Sequence, residues 1–77
     1  MAKPTRVSNQ IRRWRFERDE MTQAELAGRI GVTRQTIIAI EQGRYSPSLE
    51  VAFQIARALD VTLDEVFQYH PPEGGRS

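Results

Sequence analysis

Thr22 and Thr33 stand eleven residues apart, each placed to cap a helix, and the side chains around them offer hydrogen bonding rather than bond making. After Thr33 come Arg34, Gln35 and Thr36, then Ile38 and Ala39. These five form the outer surface of a helix whose Ile37 and Ile40, three residues apart, turn inward. Reaction chemistry has no comparable constellation. His70 is the single histidine and lies in a Pro-Gly tail, cysteine is absent, and the carboxylates fit helix caps and exposed faces. No Gly-rich phosphate loop occurs, so the expectation is a protein that is no enzyme and uses neither cofactor nor metal.

The elements that hold those side chains follow from capping and spacing. Thr22 and Glu25 form a T-x-x-E capping box, in which side chain and backbone satisfy each other reciprocally. Leu26 and Ile30 supply the inward stripe of the helix that follows, and Ala27 falls where two crossing helices come closest. Gly31 tolerates positive φ, Val32 plugs the corner, and Thr33 caps the next helix, which Gly43 stops. Two short helices joined by a three-residue turn are a helix-turn-helix.

Around this pair the sequence predicts three more helices. Residues 1–7 contain Pro4 and two cations without apolar periodicity and read as a basic flexible arm. A first helix over about residues 8–18 carries Val7, Ile11 and Trp14 as its inward stripe, with Asp19-Glu20 ending it. Pro47-Ser48 leads into a fourth helix over residues 49–59, with Leu49, Ala52, Ala56 and Leu59 as its core face. Val51, Phe53, Ile55 and Ala58 make most of its remaining surface apolar, more than one small core covers, so part of it is available to another subunit. Thr62 and Glu65 form a second capping box ahead of a short fifth helix with Leu63, Val66 and Phe67. Residues 70–77 read as a disordered tail. With no strand-period alternation, the expected fold is all-α: one compact five-helix domain over residues 8–69.

Seventy-seven residues without cysteine bury a marginal core, so helix packing, helped by dimerisation, has to supply the stability. No apolar run approaches the roughly 20 residues that span a bilayer and no signal-peptide pattern opens the chain, which makes a cytoplasmic protein, without membrane contact, the default. The net charge is only +1, yet residues 1–18 hold Lys3, Arg6, Arg12, Arg13, Arg15 and Arg18 against Glu17 alone. Basic charge segregated in this way suits a polyanion, and equally describes a solvated arginine-rich helix.

The run T-Q-A-E-L-A, G-V-T, T-I, I-E-Q-G-R and P-S-L, followed by I-A-R-A-L-D-V-T-L-D-E, resembles the Cro/C1-type (XRE) helix-turn-helix family of phage and bacterial repressors over about residues 9–67. The resemblance implies that the helix after Thr33 enters the major groove while the one after Thr22 crosses the backbone. It implies base reading by Arg34, Gln35, Thr36, Ile38 and Ala39. Gln35 can bond adenine N6 and N7; Arg34 pairs with guanine O6 and N7 or reaches a phosphate. Ile38 and Ala39 are less polar than many family members at these positions; Ile38 either meets thymine methyls or covers its neighbours. Phosphate contacts are implied for Gln23, Thr33, Arg44 and Tyr45, although Tyr45 can equally pack under the fourth helix. Arg15 and Glu41 match a structural ion pair between the first and third helices. One residue more than the common spacing separates Trp14 from Gln23, which allows a longer first helix.

The leading expectation is a transcriptional regulator, of the repressor type, that binds a short inverted-repeat operator in double-stranded DNA as a homodimer. Phe53, Phe67 and Tyr69 are candidates for the dimer interface. The alternative is an antitoxin-like or anti-regulator module that binds a regulatory protein partner, since fold alone does not assign function.

Overall fold

The computed structural model describes residues 5–71. Their elements run β1 (Val7–Asn9), α1 (Ile11–Glu17), α2 (Gln23–Ile30), α3 (Arg34–Glu41), α4 (Leu49–Leu59), α5 (Leu63–Val66) and β2 (Phe67–Tyr69). The five helices are those expected. Four of them start at a side-chain cap: Thr22, Thr33, Ser48 and Thr62 each accept a hydrogen bond from the backbone N–H three residues on. At Thr22 and Thr62 the reciprocal bond from the cap's own N–H to Glu25 and Glu65 completes the box, at 2.8 Å in both cases.

The core lies where α2, α3 and α4 meet, closed by α1 and α5. Ile11, Leu26, Ile37, Ile40, Ile55, Leu59 and Val66 are fully buried, and Ala27 is nearly so. Each of these branched side chains contributes about 1.5–3 kcal/mol relative to exposure. Gly31, at φ 77°, turns the chain between α2 and α3 in the left-handed region that a side chain disfavours. Val32 is half-buried against the core beneath it.

Three expectations change. Residues 8–10 are not helical: Val7, assigned to the flexible arm, opens β1, which pairs antiparallel with β2 in the register Val7 with Tyr69, Ser8 with Gln68 and Asn9 with Phe67. Three-residue strands are too short for an alternation pattern to register. The pairing also draws in His70, placed by sequence in the disordered tail. Its N–H donates to the Arg6 carbonyl at 2.9 Å, and its Nε2 lies 2.7 Å from Ser8 Oγ. Of the expected arm and tail, residues 1–4 and 72–77 lie outside the described residues.

The extra residue before α2 does not lengthen α1, which ends at Glu17. Asp19 and Glu20 absorb it in a turn, both with positive φ, 57° and 55°. Arg15 clamps that turn by donating from Nη1 to the Met21 carbonyl at 2.8 Å.

In α4 the inward residues are Ala52, Ile55, Ala56 and Leu59, while Leu49, expected in the core, is 67% exposed. Leu49 is the first residue of the helix and projects beyond the edge of the core. Ile55, expected outside, lies on the i, i+3 and i+4 row joining Ala52 and Leu59. Arg18 then secures the end of α4, donating to the Leu59 carbonyl at 2.7 Å and the Asp60 carbonyl at 3.1 Å.

Candidate nucleic-acid interface

The side of α3 opposite Ile37 and Ile40 carries the five residues expected to face DNA. Arg34 and Gln35, its first two helical residues, are exposed; Thr36, Ile38 and Ala39 are half-buried on the same helix. Thr33 Oγ1 accepts the Thr36 N–H at 3.2 Å and lies 3.0 Å from Thr36 Oγ1. Only one hydroxyl proton is used between those two oxygens, so the other remains free to donate outward. The cap thereby serves the helix and still presents a donor beside Arg34 and Gln35.

What fixes the pitch of this surface is a polar knot behind it. Arg15 Nε donates to Glu41 Oε2 at 2.7 Å and Arg15 Nη2 to Oε1 at 3.2 Å, a two-point contact with the pair 14% and 10% exposed. Gln23 Nε2 also donates to Glu41 Oε1, at 3.1 Å. One carboxylate at the end of α3 therefore ties α1 and the first residue of α2 together. Asn9 adds a further tie, donating from Nδ2 to the Ile40 carbonyl at 2.9 Å.

The bond from Gln23 to Glu41 was not anticipated from sequence. Eighteen residues separate the two, and an uncharged amide carries no charge pattern that would point to its acceptor. It leaves one Gln23 amide proton unspent at the start of α2, where the first backbone N–H groups favour an anion.

Beyond α3, Arg44 and Tyr45 are both exposed, Tyr45 by 44%. An open groove between α1 and α3 is lined by Arg12, Phe16, Gln23, Ile38 and Gln42 among others. Phe16, 67% exposed there, was not singled out by sequence because it lies off the Ile11 and Trp14 stripe. Trp14 itself is half-buried, with Nε1 donating to the Glu65 carbonyl at 3.1 Å and the Arg13 guanidinium 4.9 Å from its ring centroid.

The candidate dimer residues fall elsewhere. Phe53 on α4 is 49% exposed and Tyr69 on β2 is 63% exposed, whereas Phe67 is partly buried against the core. Among the described residues no group of His, Asp and Glu is arranged to hold a metal ion, and no helix is long and apolar enough to cross a membrane.

Comparison with known proteins gives a consistent outcome. A helix-turn-helix family model matches residues 12–66. An uncharacterized HTH-type transcriptional regulator of Methanocaldococcus jannaschii, MJ0272, is 51% identical over 53 residues, which cover 69% of this chain and 80% of that protein. The cryptic phage CTXphi transcriptional repressor RstR of Vibrio cholerae is 41% identical over 59 residues, 77% of this chain and about half, 52%, of the repressor. The crystal structure of the hypothetical transcription factor NHTF from Neisseria superposes with a TM-score of 0.66 at 28% identity, covering 83% of this chain and 70% of that one.

Proposed function

Because the chain belongs to the Cro/C1-type (XRE) helix-turn-helix family of DNA-binding transcriptional regulators, we propose that it is a repressor that binds a short inverted-repeat operator as a homodimer. The observation that carries this reading is the split of α3 into an inner face buried to completion and an outer face that opens with exposed Arg34 and Gln35. In this reading α3 lies in the major groove. Gln35 reads adenine, Arg34 reads guanine or a flanking phosphate, and Thr36, Ile38 and Ala39 complete the base-facing surface. Gln23, Thr33, Arg44 and Tyr45 hold the phosphate backbone on either side and set the docking angle.

Repression, rather than activation, is supported by the similarity to RstR, a transcriptional repressor. A homodimer follows from the economy of the surface: one α3 contacts a few base pairs, and two related by a two-fold axis read twice as many. In this reading the protein works where its DNA is, which fits a cytoplasmic location.

The deciding experiment selects bound duplexes from a random pool at near-physiological salt and again at higher salt. Enrichment of an inverted repeat with half-sites about one helical turn apart supports the reading and supplies the operator. Binding that is purely salt-sensitive and without sequence preference overturns it.

A further inference from the structure

Two residues of β2 keep backbone groups that β1 does not use. Flanking the Ser8 and Gln68 pair in the antiparallel ladder, Gln10 N–H donates to the Val66 carbonyl and His70 N–H to the Arg6 carbonyl. Hydrogen-bonded and non-hydrogen-bonded pairs alternate along such a ladder. The inward-facing pair in the middle is therefore Ser8 with Gln68, and the N–H and carbonyl groups of Phe67 and Tyr69 turn away from β1. Phe67 N–H donates to the Leu63 carbonyl at the end of α5. The Phe67 carbonyl and the Tyr69 N–H have no hydrogen-bond partner among the described residues.

We propose that this outer edge of β2 pairs with β2 of a second copy, antiparallel about a two-fold axis at Gln68, so that two two-stranded sheets become one of four strands. The proposal rests on the homodimer reading above and assigns its surface. The free donor and the free acceptor sit two residues apart, one on each side of Gln68. A two-fold axis there sends each Tyr69 N–H to the Phe67 carbonyl of the other copy. Moving the axis to Tyr69 would instead set the Phe67 carbonyl against Pro71, which has no N–H.

Side-chain chemistry suits the same occupant. The strand Phe67-Gln68-Tyr69 carries none of the charges or prolines by which edges are commonly protected, so a copy of itself meets no like-charge repulsion. A shallow pocket lined by Val7, Leu63, Asp64, Phe67, Gln68 and Tyr69 flanks the edge. In the paired register Tyr69 lies opposite Phe67 of the other copy on the face it shares with Val7, covering ring surface that is now wet. A sheet of two three-residue strands is marginal by itself, and four strands make a sturdier one.

The chain has no cysteine, so Gln68→Cys introduces a single thiol on the axis. Cα atoms in a non-hydrogen-bonded pair approach to about 4.5 Å, within disulfide range. Without DNA, the wild type is expected to sediment at twice its chain mass, and oxidised Gln68→Cys to run as a covalent dimer. Glu50→Cys, on the exposed first turn of α4, should stay uncross-linked under the same oxidant. Tyr69→Pro removes the donor at an edge position that tolerates proline, and should give a folded monomer. A dimeric wild type whose Gln68→Cys does not cross-link, or a folded Tyr69→Pro that remains dimeric, overturns the β2 edge and leaves the homodimer reading intact. A monomeric wild type at tens of micromolar overturns both, while DNA selectivity is scored separately by the random-pool selection.

Discussion

The outer face of α3 and the outer edge of β2 are both left uncovered by the same small core, yet they are uncovered in opposite ways. Arg34 and Gln35 expose charge and amide groups that water already satisfies, so their exposure costs the monomer little. Tyr69 exposes most of an aromatic ring beside a backbone donor and acceptor that no strand among the described residues meets. The mounting differs too. The eight-residue α3 sits on fully buried isoleucines and an ion pair, whereas β2 is three residues long. A rigid polar face suits recognition of a preformed polyanion; an unfilled apolar edge is suited to a copy of itself.

Changes at the two regions should separate stability, sequence choice and general affinity. The largest effect is expected behind α3: Glu41→Ala leaves Arg15 without its carboxylate and frees Gln23, and should cost about 3 kcal/mol in urea unfolding. Unaltered stability would mean that the knot does not mount the helix. Gln35→Ala should leave unfolding unchanged while costing about 1–3 kcal/mol on the selected operator and relaxing choice at one base pair. An equal loss on random duplex would remove its base-reading role. Arg44→Ala should weaken all sequences alike and lower the salt slope by roughly one unit, measured by titration at several salt concentrations. The smallest effect belongs to neither surface and calibrates both. Glu20→Gly relieves a non-glycine residue at φ 55°, and should raise stability by about 0.5–1 kcal/mol in thermal unfolding without altering DNA binding.

How far the sequence could be read depended on how local each cause was. Thr22 with Glu25, Thr62 with Glu65 and Gly31 all act within three or four residues, and the helices they bound stand where spacing predicted. Leu49 and Ile55 exchanged roles because a helical stripe specifies a direction around the axis but not how far along it the core extends. Asp19 and Glu20 gave no turn signal of the glycine or proline kind, so an inserted residue read as extra helix. Val7, Phe67 and Tyr69 pair across some sixty residues in strands too short to show a period, and their sheet was out of reach for the same reason. At the candidate interface, the exposure of Arg34 and Gln35 was legible from the inward placement of Ile37 and Ile40, while their expected role in reading bases came from the family resemblance. The hydrogen bond between Gln23 and Glu41 was not legible, since it exists only once α2 and α3 cross.

Residue type and periodicity within one or two turns were enough for the helical class, the caps, the burial of Ala27 and the exposed face that follows Thr33. That one carboxylate, Glu41, gathers Arg15 and Gln23 behind that face, and that residues near the two ends of the described chain close a sheet with a free edge, emerges with the packed fold. Those contacts join groups far apart in the chain, and their partners are selected by the packing of the whole core rather than by any local preference of the residues that make them.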